Sequence, residues 1–152
     1  MNDRCLYRAK RIDNGEWIVG NRIDDGVTGQ VFIHAAGNTV NESDKVGEDG
    51  CLRFVAFEVD PSTICQCTGI KDKNGKLIWE NDIVKHDFGK EQIGVQLAIV
   101  KYDSKYACYQ IKPIFDWMYC DKSDCEVIGN IFDNPELLEV GCGQELDWGE
   151  EK

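Results

Sequence analysis

The eight cysteines are the residues of this sequence with the most possible chemical roles, because thiolates bind metals and act as nucleophiles. Cys65 and Cys67 are one residue apart, and on an extended chain they point to the same face. Cys120 and Cys125 have a spacing that zinc sites allow, whereas the spacing of the first pair is unusual for zinc. We expect most of these thiols to be small buried apolar groups, and we predict no metal and no cofactor. The alternative is a four-thiolate zinc site formed by Cys65, Cys67, Cys120 and Cys125.

Two carboxylates and two histidines are the other candidates for catalysis. Glu80 and Asp82 share a face if the chain is extended there, as an acid/base pair would require. No partner residue is evident for them, so surface carboxylates at a turn are the favoured interpretation. His34 and His86 each end a predicted strand, and we expect both to be surface or edge residues. We therefore predict no catalytic residue and a protein that is not an enzyme.

The charge of the chain argues against general binding to nucleic acid. Twenty-eight acidic and 17 basic residues give a net charge of −11, whereas backbone binding needs a basic stripe. A small cluster of aromatic and basic residues lies near position 105. Regular strand alternation would separate Tyr102 and Tyr106 from Lys105 and Tyr109, leaving no stacking platform. The cluster consists of Tyr102, Lys105, Tyr106, Tyr109 and Lys112.

Hydrophobic patterning predicts a mainly β protein with eight to ten short strands. Asn14-Gly15 and Asn74-Gly75 are hairpin signals, since both residue types tolerate positive φ angles. Strands spaced about 8–12 residues apart favour a sandwich or a barrel. Asn134 is a suitable N-cap before Pro135, which predicts one short C-terminal helix. The polar, aperiodic residues Ala36–Gly50 are expected to form a loop.

Two long blocks resemble the YopX-like family. Residues 68–84 read TGIKDKNGKLIWENDIV, where members of that family carry a block similar to TGLKDKNGKEIYEGDIV. Residues 127–138 read VIGNIFDNPELL, close to the family's VIGNIYENPELL, and Tyr7-Arg8-Ala9 is similar to the family's FRAW. The resemblance covers most of residues 4–140. One departure is Asn81, which stands where the family usually has Gly.

This resemblance implies an origin in bacterial phages or prophages and a mostly β fold whose C-terminal half is an SH3-like small barrel. It implies no catalytic residue. Read physically, the first block encodes two β-turns at a corner of the barrel, with Asp72, Asn74 and Gly75 as the residues of the first turn. We predict an N-terminal β module at residues 1–68, an SH3-like barrel at 69–140 and an acidic flexible tail at 141–152.

The expected location is the bacterial cytoplasm, since the sequence has neither an apolar leader after Met1 nor an apolar run long enough to span a bilayer. The predicted function is non-enzymatic interaction with a host or phage protein, or with a second copy of the chain. A barrel edge, the loop Ala36–Gly50 or the acidic tail would provide the contact. We do not expect nucleic acid or a membrane as a partner. The alternatives are a nucleic-acid-associated barrel and an enzyme whose reaction the sequence does not reveal.

Overall fold

The computed structural model describes residues 3–35, 48–49, 55–87, 95–112 and 125–140. The chain divides into two compact units, Met1–Cys67 and Thr68–Lys152. The described residues form ten strands in antiparallel sheets and one short α-helix, which confirms the mainly β prediction. The strands are β1 Tyr7–Lys10, β2 Trp17–Asp24, β3 Val31–Ala35, β4 Ala56–Glu58, β5 Cys65–Lys71, β6 Leu77–Trp79, β7 Asp82–Asp87, β8 Val95–Asp103, β9 Cys108–Lys112 and β10 Cys125–Asn130, and the helix is α1 Glu136–Val140.

The first unit is an antiparallel sheet in the order β4-β3-β2-β1-β5. Ala9 pairs with Ile18. Ile33 pairs with Arg22, which is exposed but lies on the same face of β2 as Ile18, so the buried side chains of neighbouring strands share one face. That face carries the core of the unit, which consists of Ala9, Ile18, Val31, Ile33 and Val59.

Two hairpins of the first unit use the same four-residue loop. Gly15 N–H donates to the Arg11 carbonyl, and Gly29 N–H donates to the Asp25 carbonyl, both at 2.9 Å. Gly15 and Gly29 have φ angles of +73° and +76°. Asn14 does not share the positive φ that the Asn-Gly pattern suggested, because a longer loop needs the left-handed conformation only at its last residue.

A single bridge between Arg11 and Val59 joins the end of β1 to the end of β4. Ile12 N–H donates to the Glu58 carbonyl at 3.1 Å, and Asp60 N–H donates to the Lys10 carbonyl at 2.8 Å. The sheet therefore bends around its apolar face, and the core residues are enclosed by strands from both ends of the unit.

The second unit contains the sheet β10-β7-β8-β9, together with β6 and the part of β5 that pairs with β6. Its core consists of Ile78, Val84, Ala98, Val100, Ile111 and Cys125. Closure of either sheet into a barrel stays a prediction. The predicted strand Ile114–Tyr119, the tail 141–152 and the loop Ala36–Gly50, apart from residues 48–49, lie outside the described residues. No helix within the described ranges is long and apolar enough to cross a membrane.

Candidate functional site

Asp72 organises the hairpin between β5 and β6. Its Oδ1 accepts hydrogen bonds from the backbone N–H groups of Asn74 and Lys76, each at 2.9 Å. Its Oδ2 accepts from Val127 N–H at 2.9 Å, so the same carboxylate joins the turn to β10. Burial raises the pKa of Asp72, but the three N–H donors outweigh burial and hold the pKa below its usual range. The prediction that Asp72 hydrogen-bonds the backbone of its own turn is confirmed. The hydrogen bond from Val127 was not predicted.

A second polar corner follows β6. Asn81 has a φ of +67°, its N–H donates to the Val100 carbonyl at 2.8 Å, and its carbonyl accepts from Ile131 N–H at 3.1 Å. Its side-chain Oδ1 accepts a hydrogen bond from Lys101 Nζ. Asp82 is only 1% exposed, and its Oδ2 accepts from Trp79 N–H at 2.8 Å. The expectation of a surface carboxylate is therefore wrong for Asp82, because the turn uses it as a buried acceptor for the backbone.

Glu80 is the titratable group of this corner whose charge is disfavoured. Burial of the side chain raises the pKa of Glu80, and attraction to Lys101 offsets this only in part. Asp82 faces the backbone of its own turn. Asp82 therefore has a structural role in this corner, and whether Glu80 and Asp82 act together as an acid/base pair stays a prediction.

Replacing Glu80 with glutamine should stabilise the protein slightly at pH 7. Since the folded pKa is raised, the carboxyl stabilises the fold when protonated, and this contribution is lost as the pH rises through the folded pKa. We expect a gain of about 0.5 kcal/mol at pH 7, limited by solvent screening of a half-buried group, and no gain below about pH 4. Urea unfolding of both proteins at pH 7 and below about pH 4 measures this change in the free energy of unfolding. A loss of stability at pH 7 would mean that the attraction to Lys101 dominates.

Asn130 is the centre of the turn after β10. Its Oδ1 accepts from the N–H groups of Phe132 and Asp133, both at 3.0 Å. Asn134 N–H donates to the Asn130 carbonyl at 2.9 Å, and Asn134 Oδ1 accepts from Asn130 N–H at 3.3 Å. The side chain of Asn134 therefore bonds back to Asn130. The cap on the start of the helix is made by the backbone carbonyl of Asn134 and not by its side chain, as the N-cap prediction required. This carbonyl accepts a hydrogen bond from Leu137 N–H at 3.1 Å.

The hairpin between β8 and β9 carries the most exposed aromatic side chains of the described residues. Tyr102 is 49% exposed and Tyr106 is 43% exposed. Tyr102 pairs with Tyr109 across the strands, and their rings meet edge to face with centroids 5.2 Å apart. Lys105 Nζ lies 5.2 Å from the centroid of the Tyr106 ring. This hairpin therefore presents a compact surface of tyrosine and lysine, which we call the tyrosine hairpin (Tyr102–Tyr109).

The prediction that Tyr102 and Tyr109 lie on opposite faces is wrong. Residues 104–107 form a turn, so strand alternation stops at Asp103 and begins again at Cys108. A turn of four residues returns the chain with Tyr109 opposite Tyr102, which places both on one face.

Ala107 ends the turn of the tyrosine hairpin in the left-handed region, with a φ of +51°. Gly15 and Gly29 hold the corresponding place in the two hairpins of the first unit. Replacing Ala107 with glycine should raise the free energy of unfolding by about 0.5–1 kcal/mol, because an L-residue is strained there.

The matched control is Gly29→Ala, which places a methyl group in open space at a φ of +76°. It should lower the free energy of unfolding by about 1 kcal/mol. Thermal and urea unfolding of both variants measure the effect. If Ala107→Gly destabilised the protein, the conformation of Ala107 would be favourable and our account of the strain would be wrong.

A small apolar hollow lies beside the tyrosine hairpin. Its volume is about 20 Å³, which is room for one water molecule. Ligand pockets are usually about 300–1,000 Å³, so this hollow does not have the dimensions of a substrate site. Its lining is Thr68, Ile70, Ile78, Val100, Tyr109, Gln110 and Ile111.

The sequence profile of the YopX protein family matches residues 6–139. The chain belongs to the YopX family. No curated protein matches the sequence. Among solved structures, protein EF1440 from Enterococcus faecalis is similar, with 23% identity, a TM-score of 0.53, and coverage of 87% of this chain and 96% of that one. At this identity, the likeness shows a shared fold alone.

Membership of the YopX family gives the departure at position 81 a physical explanation. Glycine, which stands there in the block that this sequence resembles, adopts positive φ without strain, and Asn81 has a φ of +67°. Asparagine tolerates this region better than most residues. Unlike glycine, Asn81 also has a side chain, which accepts a hydrogen bond from Lys101 Nζ in this YopX protein.

Three of the four proposed zinc ligands lie within the described part of the YopX chain. Cys65 and Cys67 are fully buried in β5, and Cys65 Sγ donates to the Thr63 carbonyl at 3.3 Å. Cys125 is fully buried in the core of the second unit. Cys120 lies outside the described residues, which contain no group of His, Cys, Asp or Glu side chains placed to hold a metal ion.

The two histidines differ in position. His34 is half-buried in β3, whereas His86 is 5% exposed in β7, between β10 and β8. The expectation of a surface or edge residue is therefore wrong for His86. The apolar residues Ile83 and Val84 before Lys85-His86 could have indicated a buried strand, but one strand alone does not reveal its neighbours.

Proposed function

We propose that this YopX protein is a non-enzymatic interaction protein of phage or prophage origin. It acts in the cytoplasm of a bacterial host and binds a host or phage protein through the tyrosine hairpin. The exposure of Tyr102 and Tyr106 on a hairpin of the second unit carries this proposal.

Tyrosine side chains suit binding because they contribute a large contact area and lose little conformational entropy on burial. Tyrosine is enriched at the centre of protein interfaces and among the residues that dominate binding energy. Tyr102 is held against Tyr109, and Tyr106 lies beneath the Lys105 ammonium group, so both rings are positioned before a partner arrives. Such preorganisation reduces the entropy that binding costs.

The polar groups of the described residues support a role without catalysis. The buried carboxylates Asp72 and Asp82 accept hydrogen bonds from backbone N–H groups, which is a structural role. The hollow beside Tyr109 is too small for most metabolites. We also infer that the second unit has the SH3-like architecture, with the β5–β6 hairpin lying beside the four-stranded sheet.

Binding to nucleic acid is the second candidate function. The observation in its favour is that Tyr102 and Tyr109 share a face and have Lys105 nearby, as base stacking would require. The net charge of −11 opposes it, because repulsion of phosphate acts over the whole molecule. We therefore rank a protein partner first.

Affinity capture from host lysate tests the proposal, with and without phage infection, and with and without nuclease. The full chain serves as bait, beside the double variant Tyr102→Ala/Tyr106→Ala. Val27→Ala is the matched control, since Val27 is a 94% exposed apolar residue of a different hairpin. We expect a protein that survives nuclease and whose recovery falls about tenfold or more with the double variant but not with the control. If a partner is recovered only without nuclease treatment, the second candidate function is favoured. If the double variant recovers the partner as well as the unmodified chain does, the proposed binding surface is wrong.

A further inference from the structure

The strand β10 lies at one end of its sheet, and the turn between β5 and β6 covers its outward backbone groups. Lys73 N–H donates to the Cys125 carbonyl at 3.0 Å, and Val127 N–H donates to Asp72 Oδ2 at 2.9 Å. A row of unpaired N–H and C=O groups on such a strand is a template for pairing with another chain. The turn therefore occupies hydrogen-bonding groups that an added strand would use, and the Asp72 carboxylate takes the place of a backbone carbonyl.

The side chains of the turn also contact β10. Lys73 Nζ lies 3.3 Å from Glu126 Oε2, and Asn74 Nδ2 donates to Glu126 Oε1 at 3.5 Å. Exposed ion pairs of this kind contribute little to stability. Asp72 is only 6% exposed, so water competes weakly for its hydrogen bonds. The buried carboxylate is therefore the main contact that holds the turn against the strand.

A second side chain covers the other end of β10. Asn130 N–H donates to Asn134 Oδ1 at 3.3 Å. A Cβ built on Gly129 would lie 2.5 Å from the same oxygen, so the Asn134 side chain lies directly against the backbone of β10. Backbone groups near both ends of the strand thus have partners from the same chain.

The sequence of β10 favours a second copy of the chain as the occupant of an opened edge. Residues 127–132 read VIGNIF, with no charged residue and no proline. Segments of this kind pair readily with identical segments. A two-fold axis at Val127 would let each copy's N–H donate to the carbonyl of the other, as antiparallel strands do. We propose that Asp72 and its turn block antiparallel pairing of β10 with the β10 of a second copy.

The inference is independent of the proposed function, because the tyrosine hairpin belongs to β8 and β9. It assigns to Asp72 a role in keeping two copies of the chain apart, which is separate from its role in the stability of the turn. Removing the carboxylate leaves Val127 N–H without its acceptor. The exposed edge then gains its missing hydrogen bonds from a second copy.

Sedimentation velocity and amide hydrogen exchange of Asp72→Ala test the proposal. We expect a species of twice the mass of the unmodified chain, whose fraction rises with protein concentration. In dilute solution the Val127 amide should exchange about tenfold or more faster than in the unmodified chain, and it should slow again as the concentration rises. Asp72→Asn, which keeps the shape of the side chain, is the second variant and should associate in the same way.

Two further variants separate pairing of β10 from a general loss of stability. Ile111→Ala removes a core side chain from β9, at the other end of the same sheet, and should sediment like the unmodified chain. Asp72→Ala/Val127→Pro lacks the outward N–H and should also return to the mass of the unmodified chain.

Three results would overturn the inference. One is the mass of the unmodified chain for both Asp72→Ala and Asp72→Asn at every concentration. Another is equal association of Ile111→Ala, which would mean that lost stability alone causes it. The third is an associated Asp72→Ala whose Val127 amide still exchanges fast, because the copies would then meet at a different surface.

Discussion

Replacing Gly20 with alanine is expected to destabilise the first unit by about 3 kcal/mol or more. Gly20 lies in β2 opposite Ala35, and a Cβ built on it would lie 1.8 Å from the His34 carbonyl oxygen. That atom belongs to the backbone of the paired strand, so a rotation of a side chain cannot relieve the overlap. β2 and β3 would have to separate, which breaks hydrogen bonds at the centre of the sheet. Urea unfolding and amide exchange of β2 and β3 measure the loss.

The matched control for this prediction is Gly26→Ala. Gly26 lies in the loop that joins the same two strands, and a Cβ there would meet no atom within 4 Å. We expect its free energy of unfolding to change by less than about 0.5 kcal/mol. An equal loss in both variants would contradict the steric explanation, because the effect of Gly→Ala on the unfolded chain is stabilising. Full stability of Gly20→Ala would show that the two strands are further apart than the pairing implies.

Replacing Asp72 with asparagine is expected to cost about 2–3 kcal/mol in the second unit. The substitution keeps the shape of the side chain. It places an NH₂ group against at least one of the three backbone N–H groups that donate hydrogen bonds to the carboxylate. The hairpin turn or its link to Val127 must then open. Asp13→Asn is the control, because Asp13 is an exposed residue beside the other Asn-Gly turn and forms an exposed ion pair with Arg11. It should leave the stability essentially unchanged.

The cost of Asp72→Asn should depend on pH. The folded pKa of Asp72 lies below its usual value, so the charged carboxylate stabilises the fold above the unfolded pKa of about 3.9. This contribution is lost as the pH falls through the folded pKa. The two proteins should therefore differ most near neutral pH and converge in strong acid. A difference that stayed constant from pH 7 to pH 2.5 would show that the shape of the turn matters and the charge does not.

The local features of the fold could be predicted from the sequence, because short-range turn chemistry determines them. Asp72, Asn74 and Gly75 specify a turn by themselves, and Gly75 has the left-handed φ of +81° that the pattern requires. The number of strands and the short helix also follow from periodicity and from the residues around Pro135.

Contacts between distant parts of the sequence do not follow from local patterns of residue types. Asp72 and Val127 are 55 residues apart, and no pattern in either segment predicts that the two are in contact. The burial of His86 depends on which strands lie on either side of β7. The shared face of Tyr102 and Tyr109 depends on the length of the turn between them. For this reason the tyrosine hairpin could not be recognised as a surface before the register of β8 and β9 was known.

The pairing of β1 on both sides has a consequence for synthesis on the ribosome. β1 pairs with β2 on one side and with Cys65 and Gln66 of β5 on the other. At translation rates of about 5–20 residues per second, the strand waits roughly 3–12 s for its second neighbour. During that interval the nascent chain has β1 as an open edge, so a pause in translation before residue 65 would prolong its exposure to other chains.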